Sequence, residues 1–306
     1  MRTQPTLTWE PTGEHFPRTT SIDALVGLVA GRGAVVLSGA GLSTESGIPD
    51  YRGASGALRR HTPMTFDDFV GGAEARRRYW ARSHLGWRAM AGARPNDGHR
   101  AVAALRESGH LAGVITQNVD GLHQAAGTPP EVVDLHGTLD RVICLGCGDL
   151  SSRVELERRL TEANPAFAGV AARINPDGDV DLDEDSVRRF QPVDCVACGD
   201  GVLKPDVVFF GENVPKARVE RCNALVDGAD ALLVLGSSLT VMSGLRFVRR
   251  AAEAGKPVVI VNHGPTRGDR YAAERIDAPL GEALLALLAR LGEQVQVQVR
   301  EPVAAQ

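Results

Sequence analysis

Ala34-Val35-Val36-Leu37-Ser38-Gly39-Ala40-Gly41-Leu42-Ser43 places a short apolar run directly before a glycine-rich turn. An uninterrupted apolar run suits a strand buried on both faces, as in a parallel sheet covered by helices. Glycines after such a strand let the backbone approach a pyrophosphate, and the following helix favours negative charge at its N-terminus. Alone, the turn reads equally as a structural left-handed corner, because Thr44 stands where a dinucleotide fingerprint carries Gly or Ala. Strand-like runs recur at Leu111–Thr116, Ala231–Leu235 and Val258–Val261. Helical stretches at Ile22–Ala30, His99–Glu107, Gly244–Ala254 and Gly281–Leu291 alternate with them. Gly255-Lys256-Pro257 supplies a helix stop just before a strand. This alternation predicts an α/β fold, a parallel sheet with crossover helices.

The 306 residues are 43% hydrophobic, 24% charged and 5% aromatic, with a formal charge of −4. That length holds one large or two modest domains. No run approaches the roughly 20 apolar residues of a membrane span. The acidic balance lacks the basic field of a general nucleic-acid binder, and five cysteines are too sparse for a disulfide scaffold. Lysine is rare, with Lys204, Lys216 and Lys256 against 31 arginines, which a GC-rich genome explains. Met1–Thr20 carries three prolines and the acids Glu10 and Glu14 but no apolar core of a secretory signal. We therefore expect a cytoplasmic protein with a short N-terminal extension.

Two regions break the alternation. Residues 54–95 are Arg-rich and helical in pattern. Residues 144–200 hold four of the five cysteines and an acidic stretch, Asp177 to Asp185. Alternating Asp177, Asp179 and Asp181 invite a calcium-loop reading, but Leu182 and Arg188 occupy the positions that need Gly and Glu. A solvated acidic loop is expected instead.

Several motifs carry chemistry. After the glycine turn comes Glu45-Ser46-Gly47-Ile48-Pro49-Asp50-Tyr51-Arg52-Gly53, a polar loop suited to covering a ligand. Gln117-Asn118-Val119-Asp120 follows a strand end, where parallel sheets bind ligands; it reads as a ribose and carboxamide site or as a polar cap. His136 is a candidate base titrating near neutrality or a satisfied structural imidazole. Cys144-Leu145-Gly146-Cys147 and Cys195-Val196-Ala197-Cys198 form two knuckles that present four thiolates to one structural zinc, redox dithiols being the other reading. The 47 residues between Cys147 and Cys195 imply an insertion, and Cys222 is left over as a buried thiol. Lys204-Pro205-Asp206-Val207-Val208-Phe209-Phe210-Gly211-Glu212 is an extended run to which a peptide can add as a strand. Gly236-Ser237-Ser238-Leu239 and Val261-Asn262-His263-Gly264 follow later strands at the same rim.

In this order these motifs resemble the sirtuins, NAD-dependent protein-lysine deacylases, from about Ile22 to Leu291. The resemblance implies a Rossmann-type domain (residues 21–53, 96–140 and 201–292), an inserted helical module (54–95) and a small four-cysteine zinc module with a long acidic insertion (141–200). Residues 1–20 and 293–306 would be tails. It implies that Gly39, Ala40, Gly41 and Ser43 cradle the NAD pyrophosphate and that Asp50, Tyr51 and Arg52 cover it. Gln117, Asn118 and Asp120 would face nicotinamide and its ribose, with Asn118 counted among the catalytic residues. Gly236, Ser237, Ser238, Asn262, His263 and Gly264, with Leu280, would hold the adenosine half. His136 would be the general base, Cys144, Cys147, Cys195 and Cys198 the zinc ligands, and Val207, Val208, Phe209 and Phe210 the peptide groove.

In that chemistry nicotinamide leaves as the acyl-lysine oxygen attacks the ribose. The base then helps deprotonate a ribose hydroxyl, and water finally yields lysine and O-acyl-ADP-ribose. The phrases Ser43–Tyr51, Arg78–Arg82, Pro176–Val180 and Gly264–Arg267 look like class II sirtuins, which are associated with lipoyl and acidic acyl removal and with ADP-ribosylation. Tyr79 and Arg82, three apart on one helix face, would line the acyl pocket, Arg82 pairing with an acyl carboxylate; an arginine on a solvated face is the alternative. The expected partners are acyl-lysine proteins, with no nucleic acid and no membrane. Two other functions stay open at this point: a mono-ADP-ribosyltransferase on the same scaffold, and a zinc-ribbon interaction module.

Overall fold

The computed structural model describes residues 16–31, 33–52, 63–127, 132–167 and 174–300, with side chains as far as residue 292. Gly53 and the first part of the 54–95 module lie outside these residues, as does most of the N-terminal extension. The strands are β1 (Ala34–Ser38), β2 (Leu111–Thr116), β3 (Val132–Asp134), β4 (Gly137–Cys144), β5 (Leu150–Ser152), β6 (Leu203–Val207), β7 (Ala231–Leu235), β8 (Val258–Val261) and β9 (Glu274–Ile276). The helices are α1 (Asp23–Ala30), α2 (Phe66–Gly71), α3 (Ala73–Gly92), α4 (Asp97–Glu107), α5 (Leu122–Ala125), α6 (Arg153–Ala163), α7 (Glu184–Arg189), α8 (Lys216–Gly228), α9 (Met242–Glu253) and α10 (Leu280–Arg300). Among the described residues no helix is long and apolar enough to cross a membrane.

Six strands form a parallel sheet of order β3-β2-β1-β7-β8-β9. The period-2 geometry of a strand sends alternate residues to opposite layers. Val36 packs with Leu25 of α1, Leu105 of α4 and Leu284 of α10. Its neighbours Val35 and Leu37 pack on the other face with Cys222 of α8 and Phe247 of α9. The result is a three-layer Rossmann-type fold. The chain moves outward from β1 to β2 and β3, then returns to the opposite side of β1 with β7, so the strand order reverses between β1 and β7. That reversal opens a crevice at the carboxyl ends of the strands.

The second unit is an antiparallel sheet, β5-β4-β6, packed against α3 and α6 through an aromatic cluster, with α7 lying on α3. Trp80 of α3 donates its indole N–H to the Leu203 carbonyl at 3.0 Å. Arg153 of α6 is fully buried, paired with Glu157 at 2.6 Å and lying over the Trp87 ring at 4.7 Å. Glu157 also meets His84 of α3 at 2.7 Å. A charge removed from water this completely is tolerated only with such partners, so the helical and cysteine-bearing segments hold each other in place.

Four expectations change. The sheet gains β3 and β9, three-residue edge strands that carry acids and so lack the apolar signature of the central strands. The acidic insertion is not simply solvated: Asp179 is buried and pairs with Arg82 at 3.2 Å. Residues 293–300, expected as tail, continue α10 to Arg300, because a helix nucleated on the packed Leu284, Leu287 and Leu291 face extends at one hydrogen bond per residue. The end of the N-terminal extension is attached to the sheet, Thr19 bridging Ile276 and Arg18 pairing with Asp277 at 2.6 Å.

The turn after β1 and the turn after β7 touch backbone to backbone. Gly236 has φ +62°, and a Cβ there would lie 2.5 Å from the Leu42 nitrogen and 2.7 Å from Leu280 Cδ1. Gly236→Ala should therefore destabilise the fold by about 2 kcal/mol or more, combining left-handed backbone strain with a clash against main chain. Chemical denaturation of the two proteins measures this; an unchanged midpoint would contradict the packing described.

Candidate functional site

The crevice at the strand ends is built from the turn after β1. Gly39 N–H donates to the Leu235 carbonyl at 2.9 Å and Gly41 N–H to the Gly236 carbonyl at 2.8 Å. A 3₁₀ helix, Ala40–Ser46, follows directly and carries Ser43 back toward β2. Asn96, the N-cap of α4, donates to the Leu42 carbonyl at 2.7 Å and pins this segment from below.

The segment after β2 meets it. Asn118 donates from Nδ2 to the Gly39 carbonyl at 3.1 Å and to Ser43 Oγ at 3.0 Å. Ser43 in turn donates to Asp120 Oδ2 at 2.7 Å, while Asp120 Oδ1 accepts the Leu122 N–H at 3.0 Å. Burial pushes the Asp120 carboxyl up, and these two hydrogen bonds pull it part of the way back. Gln117 reaches across to the other half of the crevice, donating from Nε2 to Ser237 Oγ at 2.7 Å. Gly39, Gly41, Ser43, Gln117, Asn118, Asp120, Gly236 and Ser237 thus form one connected group.

Ser238 Oγ bonds Thr240 Oγ1 at 3.1 Å, and Arg267 locks that turn by donating to the Ser238 and Thr240 carbonyls. Leu239 between them adopts φ +53°, the one non-glycine residue with positive φ among those described, a strain typical of ligand-binding turns. Asn262 follows β8 at the same rim, its amide folded onto the His263 and Gly264 carbonyls at 3.0 Å. His263 is exposed and pairs with Asp277 at 3.0 Å. Leu280 is buried in the hydrophobic core, with its Cδ1 against Gly236 of the turn after β7.

His136 stands between the two units, just before β4. Its Nδ1 lies 2.9 Å from the Gln117 carbonyl and its Nε2 lies 2.8 Å from Ser243 Oγ. A carbonyl only accepts, so Nδ1 carries the proton and Nε2 keeps the lone pair. Burial holds the imidazole neutral, its pKa pushed down to about 4; the Gln117 carbonyl opposes this, and Arg218 and Arg246 reinforce it. The Val207–Phe210 run is anchored beside it: Val208 N–H donates to the His136 carbonyl at 2.7 Å, and the Phe210 carbonyl accepts from Phe66 N–H at 2.9 Å. Lys204, buried beneath this run, pairs with Glu212 at 3.0 Å and lies over the Phe209 ring at 4.7 Å. Tyr51, in the loop after the 3₁₀ helix, meets Phe210 edge to face, centroids 6.1 Å apart. Asp50 and Arg52 flank it, half-buried, at the edge of the described residues.

Tyr79 lies within an aromatic group with Phe69 and Phe209, ring centroids 5.4 and 5.2 Å away. Arg82 is held elsewhere: it meets Asp179 at 3.2 Å and Asp181 at 3.0 Å and donates to the Val180 carbonyl at 2.7 Å. The insertion thus takes the guanidinium that an acyl carboxylate would need. The even spacing of Asp177, Asp179 and Asp181 resembles a cation loop; its use as an arginine clamp is visible only in three dimensions.

The four knuckle cysteines converge, with all four sulfurs within 4.8 Å of one another and the Cys144–Cys198 and Cys147–Cys195 sulfurs 3.7 and 3.9 Å apart. Tetrahedral zinc with bonds of about 2.3 Å requires sulfurs about 3.8 Å apart, so the donors fit that ion. Both knuckles close identically, Gly148 and Gly199 N–H donating to the Cys144 and Cys195 carbonyls at 2.9 Å. Cys222 is fully buried, its thiol pushed up to about 12 by burial, as expected for a packing residue.

Residues 39–243 match the Sir2 family. A Streptomyces coelicolor protein named NAD-dependent protein deacetylase 1 is 64% identical over 295 residues, covering 96% of this chain and 98% of that one. A Mycobacterium avium protein of the same name is 52% identical over 272 residues, 87% and 93% of the two chains. Among solved structures, a Sir2 complex with a p53 peptide and NAD+ superposes with TM-score 0.70 at 28% identity, over 89% of this chain and 99% of that one. A Sir2 bound to acetylated peptide gives TM-score 0.68 at 27% identity over 89% and 99%. The chain belongs to the Sir2 family.

Two buried histidines, His99 and His123, and the half-buried His136 surround the crevice. His99 and His136 are pushed down to about 4 and His123 to about 3, each mainly by burial. Their folded values lie below the unfolded value near 6.5, so the unfolded chain binds more protons and stability falls as pH drops from 6.5 toward 4. Melting temperature should decline across that window. The decline should be shallower in His123→Gln, whose amide N–H can still reach Ser38. A melting temperature independent of pH in both proteins would contradict the buried neutral histidines.

Proposed function

We propose that this chain is an NAD-dependent protein-lysine deacylase that transfers the acyl group to ADP-ribose and releases nicotinamide. The observation that carries the reading is His136: a neutral imidazole with its lone pair on Nε2, anchored through Gln117 to the Asn118–Asp120 segment at the crevice of a Rossmann-type sheet. The names of the relatives support NAD dependence and acetylated proteins as partners. NAD supplies an electrophilic ribose carbon when nicotinamide leaves.

Each residue has a task in this reading. Gly39, Ala40, Gly41 and Ser43 admit the pyrophosphate against backbone; Gly236, Ser237, Ser238 and Asn262, with His263 and Gly264 at the rim, hold the adenosine half. Asp50, Tyr51 and Arg52 cover the bound molecule. Gln117, Asn118 and Asp120 orient nicotinamide and its ribose, and Val207–Phe210 aligns the substrate peptide. Departure of nicotinamide moves no proton, so it needs no base. The later attack by a ribose hydroxyl does, and His136 takes that proton at Nε2. Arg82, occupied by Asp179 and Asp181, does not favour an acidic acyl chain; acetyl and other neutral acyl groups fit better. A base beside the peptide run favours deacylation over mono-ADP-ribosylation, which needs none for a ribose hydroxyl. Zinc at Cys144, Cys147, Cys195 and Cys198 would crosslink the two knuckles; a closed four-thiolate site leaves no position for substrate.

His136→Ala should keep the melting temperature within a few degrees while lowering acetyl-lysine peptide turnover by about 100-fold or more. Wild-type turnover in that variant, followed by peptide mass, would remove His136 from the mechanism. Elemental analysis of native protein should give one zinc per chain, and Cys147→Ser should lose the metal with a marked fall in melting temperature. Absence of zinc from protein purified without chelator would contradict the metal assignment.

A further inference from the structure

Ser243 is the second residue of α9, half-buried, and its hydroxyl lies 2.8 Å from Nε2 of His136 across 107 positions of sequence. The approach of α9 is close and specific: at the next residue, Gly244, a Cβ would fall 2.4 Å from Gln117 Oε1. The same Gln117 supplies the carbonyl that holds Nδ1 of the imidazole. His136 is therefore gripped at both nitrogens, by main chain at Nδ1 and by a side-chain hydroxyl at Nε2, the basic atom.

We propose that Ser243 is a positioning residue for the proton-transfer step, holding the His136 ring in the rotamer and tautomer in which Nε2 is basic and stabilising that nitrogen after it takes the proton. A serine hydroxyl suits both states. With neutral imidazole, Oγ–H donates to the Nε2 lone pair. As the ribose hydroxyl approaches, the Ser243 hydrogen swings off the single Nε2 lone pair; once Nε2 has taken the ribose proton, the new N–H donates to Oγ, whose own hydrogen points away. The proton count balances: one proton leaves the ribose oxygen, one arrives at Nε2, and Ser243 keeps its own. Alanine offers neither bond, whereas threonine offers both. The inference rests on the deacylase reading, in which nicotinamide departure needs no base and the following hydroxyl attack does.

The test compares Ser243→Ala, Ser243→Thr and wild type in two assays. The first is exchange of labelled nicotinamide into NAD with an acetyl-lysine peptide present; the second is steady-state deacetylation of the same peptide. Ser243→Ala should retain exchange and the KM for NAD within about threefold while its deacetylation kcat falls by roughly tenfold or more. Ser243→Thr should recover most of the lost kcat. Equal kcat in Ser243→Ala and wild type would overturn the proposal. So would parallel loss of exchange and deacetylation without recovery in Ser243→Thr, since that marks a purely structural residue. Wild-type protein that neither exchanges nicotinamide nor deacetylates would instead overturn the functional reading on which the inference rests.

Discussion

The contact between the turn after β1 and the turn after β7 organises the rest of the molecule. Gly39 donates to the Leu235 carbonyl and Gly41 to the Gly236 carbonyl, and Gly39, Gly41 and Gly236 pack so closely that none leaves volume for a Cβ. This approach occurs at the reversal of strand order, where a parallel sheet leaves a crevice. Because the glycines are locked in place, their neighbours can be reached by side chains from the segment after β2: Asn118 finds the Gly39 carbonyl and Gln117 finds Ser237. The polar floor of the crevice is a consequence of main-chain packing.

A second constraint is the seam between the parallel sheet and the smaller antiparallel one. His136 lies on it, its imidazole bonded to the first unit and its carbonyl bonded to Val208 of the extended run. Buried charges hold the smaller unit together on its side of the seam. Lys204 with Glu212 pins the run from beneath, and Glu157 meeting His84, with Arg153 over the Trp87 ring, ties the cysteine-bearing segment to α3. Removing one partner of such a pair leaves an uncompensated charge, typically costing about 3–5 kcal/mol, so these groups fix the smaller unit as well as filling space.

Much of this is legible in the sequence. Central strands β1, β2, β7 and β8 are continuous apolar runs because both faces are covered, and the structure places them where that signature does. Two cysteine pairs, each with two intervening residues, announce a four-thiolate cluster, and the sulfurs converge to the spacing zinc needs. What is not legible depends on tertiary partners. Strands β3 and β9 are short and carry acids, so only their edge pairing reveals them. Arg82 looks available to a ligand because Asp179 and Asp181 lie nearly a hundred residues away in sequence. Ser243 carries no signal, since its significance comes entirely from the position of His136.

The most direct measurement of the central claim is the product balance when wild-type protein is mixed with NAD and an acetyl-lysine peptide. Nicotinamide, deacetylated peptide and O-acetyl-ADP-ribose should form in equal molar amounts. Nicotinamide release with the peptide still acetylated and ADP-ribose attached to protein would contradict it.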